Sequence, residues 1–203
     1  GRYLGRIHSV GASHSFHHRV PLDVESMLHE PRQLLAAGEW LPSGLAKSFF
    51  GVLDELIRHV CDAMTLDVAR ISLHGDCHPG NILWRDGPLF VDLDDCRTGP
   101  AIQDLWMMLN GERHEQQIQL DTLLAGYEEF MEFDPRELAL IEPLRAMRIV
   151  HYMVWLARRW EDPAFPRHFS WFNTEHYWCQ QIATLHDQLE ALKAPPLSLM
   201  PQW

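Results

Sequence analysis

The sequence predicts a mainly α-helical chain with one small β patch, an α+β fold, on three observations. Residues 44–64 place Leu45, Phe49, Val52, Leu53, Leu56, Ile57, Val60 and Met64 at three- and four-residue spacing, the period of an amphipathic helix. Asp134-Pro135-Arg136-Glu137 is a helix start: an Asp cap, Pro at the first helical position and Glu three after the cap. The runs with strand character are short and lie together between Ile71 and Leu93.

The elements follow in order. Tyr3, Leu4 and Ile7 sit at helical spacing and read as the end of a helix already under way, with further sequence expected before Gly1. Asp23 caps a helix to about residue 30, where Pro31 interrupts it or opens the next. Ser43 is the expected N-cap of the 44–64 helix. Ile71–Leu73 reads as a strand and 74–81 as a loop. Residues 82–84 and 89–93 read as a hairpin around Arg85-Asp86-Gly87-Pro88, with Pro88 allowed only where the second strand begins. Helices are expected near 101–110 and 115–132. The helix opened by Asp134 is expected to run toward Trp160 with a kink at Pro143. Pro163 and Pro166 punctuate a loop, and Thr174 caps a last helix to about Lys193. No internal repeat, low-complexity segment or linker breaks the chain, so one helical domain over 1–203 is expected.

Composition narrows the function. The chain is 203 residues long, 46% hydrophobic and 22% charged, which is ordinary globular material. Its formal charge of −11 repels polyanions, so handling phosphate requires a divalent cation or positive charge from another segment. No basic patch with interleaved aromatics is present, which argues against nucleic acid, and the eight Trp are spread as packing residues. No apolar run reaches the roughly 18 residues of a membrane span. Cys61, Cys77, Cys96 and Cys179 form no C-x-x-C pair, which argues against a zinc ribbon or a disulfide framework and for a reducing cytoplasm.

The chemistry concentrates in His74-Gly-Asp-Cys-His-Pro-Gly-Asn81 and the acidic run ending 89–95. Asp76 lies in a loop beside Gly75, where a carboxylate either accepts a hydroxyl proton or caps local N–H groups. Asn81 supplies a neutral oxygen or tolerates a turn after Gly80. Asp92 ends an apolar run, where an unpaired carboxylate is costly unless it binds a metal. Asp94 and Asp95 follow closely and repel it unless a cation offsets them, whereas a solvated acidic turn is the bland alternative. If the strand continues, Asp92 and Asp94 share a side and Asp95 points away, so Asp92 is the first candidate ligand and Asp94 the second. An Asp for the hydroxyl, with an Asn and an Asp for Mg²⁺, is the acid half of a kinase site. His74 and His78 at i, i+4 would suit zinc on a helix, but Pro79-Gly80 disfavours a helix here. His74 is assigned to holding the loop, and His14, His17 and His18 to a polar loop. Asp104, early in the helix after Gly99-Pro100, either bonds back to the acidic loop or favours the helix N-terminus. Phe90-Val-Asp-Leu-Asp94 also matches the D-x-D signature of dehalogenase-like phosphatases, but Cys96 and the helical sequence that follows do not.

The H-G-D-x-x-x-x-N motif, followed by an apolar strand ending in Asp, resembles the signature of aminoglycoside phosphotransferase-like kinases, a group that includes choline and homoserine kinases. The segments Gln103-Asp-Leu-Trp-Met107, Ile141-Glu-Pro-Leu-Arg-Ala-Met-Arg148 and Arg159-Trp-Glu-Asp-Pro-Ala-Phe-Pro166 extend the likeness along nearly the whole chain, toward bacterial Ser/Thr protein kinases of that fold. The resemblance implies the C-terminal lobe of a protein kinase-like fold, using ATP and Mg²⁺. Asp76 would be the catalytic Asp, Asn81 and Asp92 the Mg²⁺ ligands, and the acceptor a hydroxyl on a protein. Asp92-Leu93-Asp94 stands where ordinary protein kinases have D-F-G, so a D-F-G flip is not expected. No glycine-rich phosphate loop or strand-borne phosphate Lys is recognisable, so an N-terminal nucleotide lobe is expected outside the chain, and the chain alone is expected to be inactive or weak. Two other readings are a small-molecule kinase lobe, acting on an alcohol such as an aminoglycoside, choline or homoserine, and a non-catalytic binding module. A monomer is expected.

Overall fold

The helical periods become eight α-helices, and the strand-like runs become two antiparallel strand pairs, in a computed structural model that describes residues 1–200. The chain forms two compact units. One comprises 1–22, 66–141 and 196–200, and the other 23–65 and 142–195. No helix among the described residues is long and apolar enough to cross a membrane. The four cysteines are free thiols.

The first unit opens with α1 (Arg2–Gly11), which packs on α5 (Arg113–Tyr127) and on strand β1 (Ile71–Leu73). Tyr3 and Ile7 are largely exposed, while Leu4 and His8 face inward, so the buried side of α1 lies one residue away from the expected one. Gly5 allows the close approach: a methyl group there would collide with the Tyr127 carbonyl. β1 pairs with β4 (Arg97–Gly99), Ile71 opposite Gly99 and Leu73 opposite Arg97. β2 (Ile82–Arg85) and β3 (Gly87–Phe90) form the expected hairpin, turning at Asp86 (φ +32°) and Gly87 (φ +140°). α4 (Ile102–Trp106) is shorter than the expected 101–110 helix.

Other departures are local. The segment after Asp134 is a 3₁₀ turn over Pro135–Leu140, not the start of one long α-helix. The Asp134 side chain does accept the Arg136 N–H (3.0 Å), but Glu137 turns inward and does not complete a capping box. Helix α6 (Ile141–Arg159) begins afresh, and Pro143 sits in its first turn, where the missing N–H has no helical partner to lose; that position needs no kink.

In the second unit Asp23 accepts the Ser26 N–H (2.8 Å), leading into a π-helical turn over Glu25–His29 and then α2 (Glu30–Ala37). Ser43 is the first residue of α3 (Ser43–Ala63) rather than its cap. The carbonyl of Pro42 takes the Leu45 N–H (2.9 Å). α3 packs along α8 (Glu175–Lys193), with Phe49 edge-on to Trp178 at 5.3 Å. Thr174 caps α8 through the Tyr177 N–H (3.1 Å), as the sequence predicts. The short α7 (Ala164–His168) follows Pro163.

Candidate active site

Every residue singled out by the sequence for chemistry lies in the first unit. The strand β1 ends at Leu73, and the chain turns sharply through Gly75, whose φ of +88° suits glycine. A methyl group at Gly75 would collide with the Asp95 carbonyl, so the two acidic segments touch here through backbone. Two side chains from the start of α4 hold this turn. Asp104, fully buried, accepts the His74 N–H at Oδ2 and the Gly75 N–H at Oδ1, both at 2.8 Å. Gln103 donates from Nε2 to the Gly75 carbonyl (2.9 Å). Asp104 thus bonds back to the loop through both oxygens.

Asp76 follows Gly75. Its Oδ2 lies 3.3 Å from Asn81 Nδ2, which also donates to the Asp76 carbonyl (3.0 Å). His78 Nε2 is 3.5 Å from the same oxygen. The His78 ring also accepts the Gly80 N–H (3.0 Å), shaping the 3₁₀ turn over Pro79–Asn81. With its Nδ2 turned to Asp76, Asn81 keeps Oδ1 without a hydrogen-bond partner among the described residues.

Val91 connects the two halves. Its N–H donates to the Asn81 carbonyl (3.0 Å), and its carbonyl accepts from His74 Nε2 (2.9 Å), which fixes Nε2 as the protonated ring nitrogen. Asp92 is therefore placed by a peptide pinned at both ends. The expected strand over 89–93 stops at Phe90, and Asp92 takes a left-handed φ of +62°. The alternation argument for Asp92, Asp94 and Asp95 therefore fails: the chain has already left the pleated strand. Asp92 and Asp94 are exposed, and their carboxylates have no hydrogen-bond or ion-pair partner among the described residues. Asp95 pairs with Arg97 (2.7 Å). Arg19 donates to the Asp94 and Leu93 carbonyls and braces the loop without neutralising a side chain.

Among the described residues no three His, Cys, Asp or Glu side chains gather as a metal cluster. The donor set does fit Mg²⁺, which takes one or two protein oxygens when phosphates fill its other positions. Asn81 Oδ1 and the Asp92 carboxylate are hard oxygens without competing donors, and Asp94 is a third oxygen group two residues on. His74 and His78 are each engaged within the loop. Burial, reinforced by Asp104 and Asp76, pushes the Cys77 thiol far up, so it is no nucleophile.

Sequence reasoning passed over four side chains around these segments. His8 from α1 lies between Tyr127 and Asp104, and its only sequence signal is a polar residue one turn after Leu4. Leu83 and Leu89 face each other across the hairpin, 53% and 59% exposed, two residues beyond Asn81 at the nearer end. Glu137, 3% exposed, accepts the Ile102 N–H (2.8 Å) at the start of α4, the helix that carries Asp104. Burial pushes its carboxyl up to about 7 against that hydrogen bond. A carboxyl raised from 4.5 to about 7 on folding is penalised only where the unfolded chain ionises first. Stability is therefore expected to fall as pH rises from about 4.5 to about 7, by roughly 3 kcal/mol at about 1.4 kcal/mol per unit. Glu137→Gln should flatten that slope in urea unfolding curves. Parallel pH profiles for the two proteins would refute it.

Comparisons with known proteins identify the family and the fold. A model described as "Phosphotransferase enzyme family" matches residues 1–141. Stress response kinase A of Escherichia coli strain K12 is 54% identical over all 203 residues. A Salmonella typhimurium protein named Serine/threonine protein kinase RdoA is 52% identical over the same span. The chain spans 62% of the length of these curated relatives. Among solved structures, an amicoumacin kinase in complex with AMP-PNP and Ca²⁺ superposes with a TM-score of 0.61 at 18% identity, covering 97% of this chain and 58% of that one. A choline/ethanolamine kinase family protein from Mesorhizobium loti gives 0.60 at 16% identity, covering 94% and 64%. The fold is therefore that of the aminoglycoside and choline kinases.

Proposed function

The chain belongs to the phosphotransferase enzyme family, and on that premise we propose that it is the acceptor- and metal-holding lobe of an ATP- and Mg²⁺-dependent protein kinase. The observation that carries the reading is the pairing of Asp76 with Asn81. One amide nitrogen orients the carboxylate, and the same side chain leaves its oxygen for a cation. Asp76 orients a Ser or Thr hydroxyl and accepts its proton as its oxygen bonds to the γ-phosphorus and the bond from that phosphorus to the β,γ-bridging oxygen breaks, releasing ADP. Asn81 and Asp92, with Asp94 in support, would hold Mg²⁺, which neutralises charge on the phosphates. The exposed Leu83–Leu89 face offers an apolar floor to a flat base. The name of one relative, a serine/threonine protein kinase of Salmonella typhimurium, favours a protein acceptor, and an alcohol on a small molecule is the competing one.

Radiolabelled transfer from ATP to a protein substrate, by the chain extended to its relatives' length, tests this. Transfer to small alcohols but not to Ser or Thr would move the acceptor assignment. No transfer to either would remove the enzymatic reading and leave a binding module.

The chain by itself is expected to bind Mg-ATP weakly. Its first unit carries eight Arg and no Lys against fifteen Asp and Glu, a formal −7. Near the acidic run, Arg19 is bonded to the Leu93 and Asp94 carbonyls and Arg97 to Asp95, whereas the transferring group needs cationic positioning. Calorimetry should show no saturable heat at micromolar nucleotide. Tight binding with steady turnover would reveal a phosphate-holding element in this chain.

A further inference from the structure

We infer that Arg19 is a positioning residue for the acidic run: by bridging two consecutive carbonyls, those of Leu93 and Asp94, it fixes the backbone that presents Asp92 and Asp94. The inference rests on the reading of Asp92 as a Mg²⁺ ligand.

Asp92 lies beyond the end of β3, so no strand ladder holds it. On its N-terminal side Val91 is bonded at both its N–H and its carbonyl. On its C-terminal side the Leu93 carbonyl takes the Cys96 N–H at 3.3 Å, and the Asp94 carbonyl has Arg19 as its one donor among the described residues. The Arg19 guanidinium reaches both carbonyls: Nη1 donates to Asp94, and Nη2 to Leu93 (3.4 Å). A planar fork with several N–H groups can span two successive peptides in this way; a single ammonium is not shaped for it. Asp92 thus sits between two fastened peptides.

Arg19 is itself placed by a tethered segment. Residues 14–22 form neither helix nor strand, yet both ends are tied to the β1–β4 pair. The His14 carbonyl accepts the Ser72 O–H on β1 (2.6 Å). The Leu22 N–H donates to the Thr98 carbonyl on β4 (2.9 Å), and the Leu22 carbonyl accepts from Arg70 (3.2 Å). Leu22 is buried against Gly99, where a methyl group would meet its side chain at 3.2 Å. The bridge therefore joins two stretches of chain 75 residues apart in sequence.

The contact leaves the metal-binding groups open. Arg19 directs its hydrogen bonds to carbonyls, so the Asp92 and Asp94 carboxylates stay without a partner among the described residues. An ion pair with either would occupy oxygens that a cation needs. The sign of the effect separates charge from position. Acting by charge alone, a guanidinium beside a cation site repels Mg²⁺, and its removal tightens the metal. Acting through the backbone, it holds the ligands in place, and its removal loosens the metal by about 10- to 100-fold, the usual effect of a group that orients a metal ligand.

The test uses the extended, active protein with Arg19→Gln and Arg19→Lys. Arg19→Gln should raise the Mg²⁺ concentration for half-maximal transfer by about tenfold or more, while kcat at saturating Mg²⁺ stays within about threefold. Arg19→Lys keeps the charge but not the fork, and should resemble the Gln variant rather than the parent. Arg19 is exposed, so melting temperatures should stay within about 2 °C of the parent. Amide hydrogen exchange at Cys96, whose N–H is held by the Leu93 carbonyl, should quicken in both variants with neither metal nor nucleotide present. An unchanged or lowered Mg²⁺ requirement in Arg19→Gln overturns the inference, as does a Lys variant equal to the parent. So does a loss in kcat alone that follows the melting temperature. If the parent protein transfers no phosphate, the reading of Asp92 has failed instead. Exchange at Cys96 then decides for Arg19, and an unchanged rate in Arg19→Gln overturns its role.

Discussion

Asp92→Asn is expected to abolish phosphoryl transfer while leaving the fold intact. The carboxylate is exposed and makes no hydrogen bond or ion pair among the described residues, so neutralising it removes no stabilising contact. Asn is also one of the few residues that accept a φ of +62° readily. On the proposed reading what is lost is the anionic oxygen for Mg²⁺, and with it several kcal/mol of charge stabilisation on the transferring phosphate, at least about 10³-fold in kcat. Transfer assays at saturating Mg²⁺, paired with thermal melts, check both halves. Near-normal turnover would rule out Asp92 as ligand. A large drop in melting temperature would show that the carboxylate supports the fold.

Asp76→Asn should fail differently. The replacement keeps an oxygen where Asn81 Nδ2 now donates, so the loop geometry is retained. The proton acceptor is removed, and kcat is expected to drop by about 10²- to 10⁴-fold, the usual contribution of a positioned acid–base group. Nucleotide affinity should stay within about twofold, because on the proposed reading this carboxylate serves the hydroxyl and not the metal. A large loss of ATP affinity with kcat preserved would reassign Asp76 to the nucleotide.

Much of the arrangement was legible in the sequence, for identifiable reasons. Spacing alone put Asp76 and Asn81 in the loop after Ile71–Leu73, because strand and turn chemistry are local. The long apolar period of α3 and the Thr174 cap of α8 are local as well. Long-range bonds were less visible. β4 is three residues, Arg-Thr-Gly, too short to signal a strand by itself; it pairs with the edge that Ile71–Leu73 offers. Glu137 follows the capping-box pattern, yet its carboxylate turns to the buried Ile102 N–H, a partner 35 residues away. The left-handed residue at Asp92 broke the expected alternation because tertiary bonds at Val91 bend the chain there. His8 looked like one more polar residue on a helix, since nothing in sequence joins it to Asp104.

The backbone at Asp92 also constrains how this chain can change over generations. At φ +62° most side chains cost on the order of 1–2 kcal/mol, whereas Asp, Asn and Gly do not. Asp reaches either Asn or Gly by one nucleotide change. The substitutions the fold tolerates best at this position are therefore the ones that discard the carboxylate. A duplicated gene released from selection at this position would arrive in a single step at a stable lobe without the proposed metal-binding carboxylate. No destabilised intermediate lies on that path, so a folded, non-transferring descendant is the most accessible fate of this architecture.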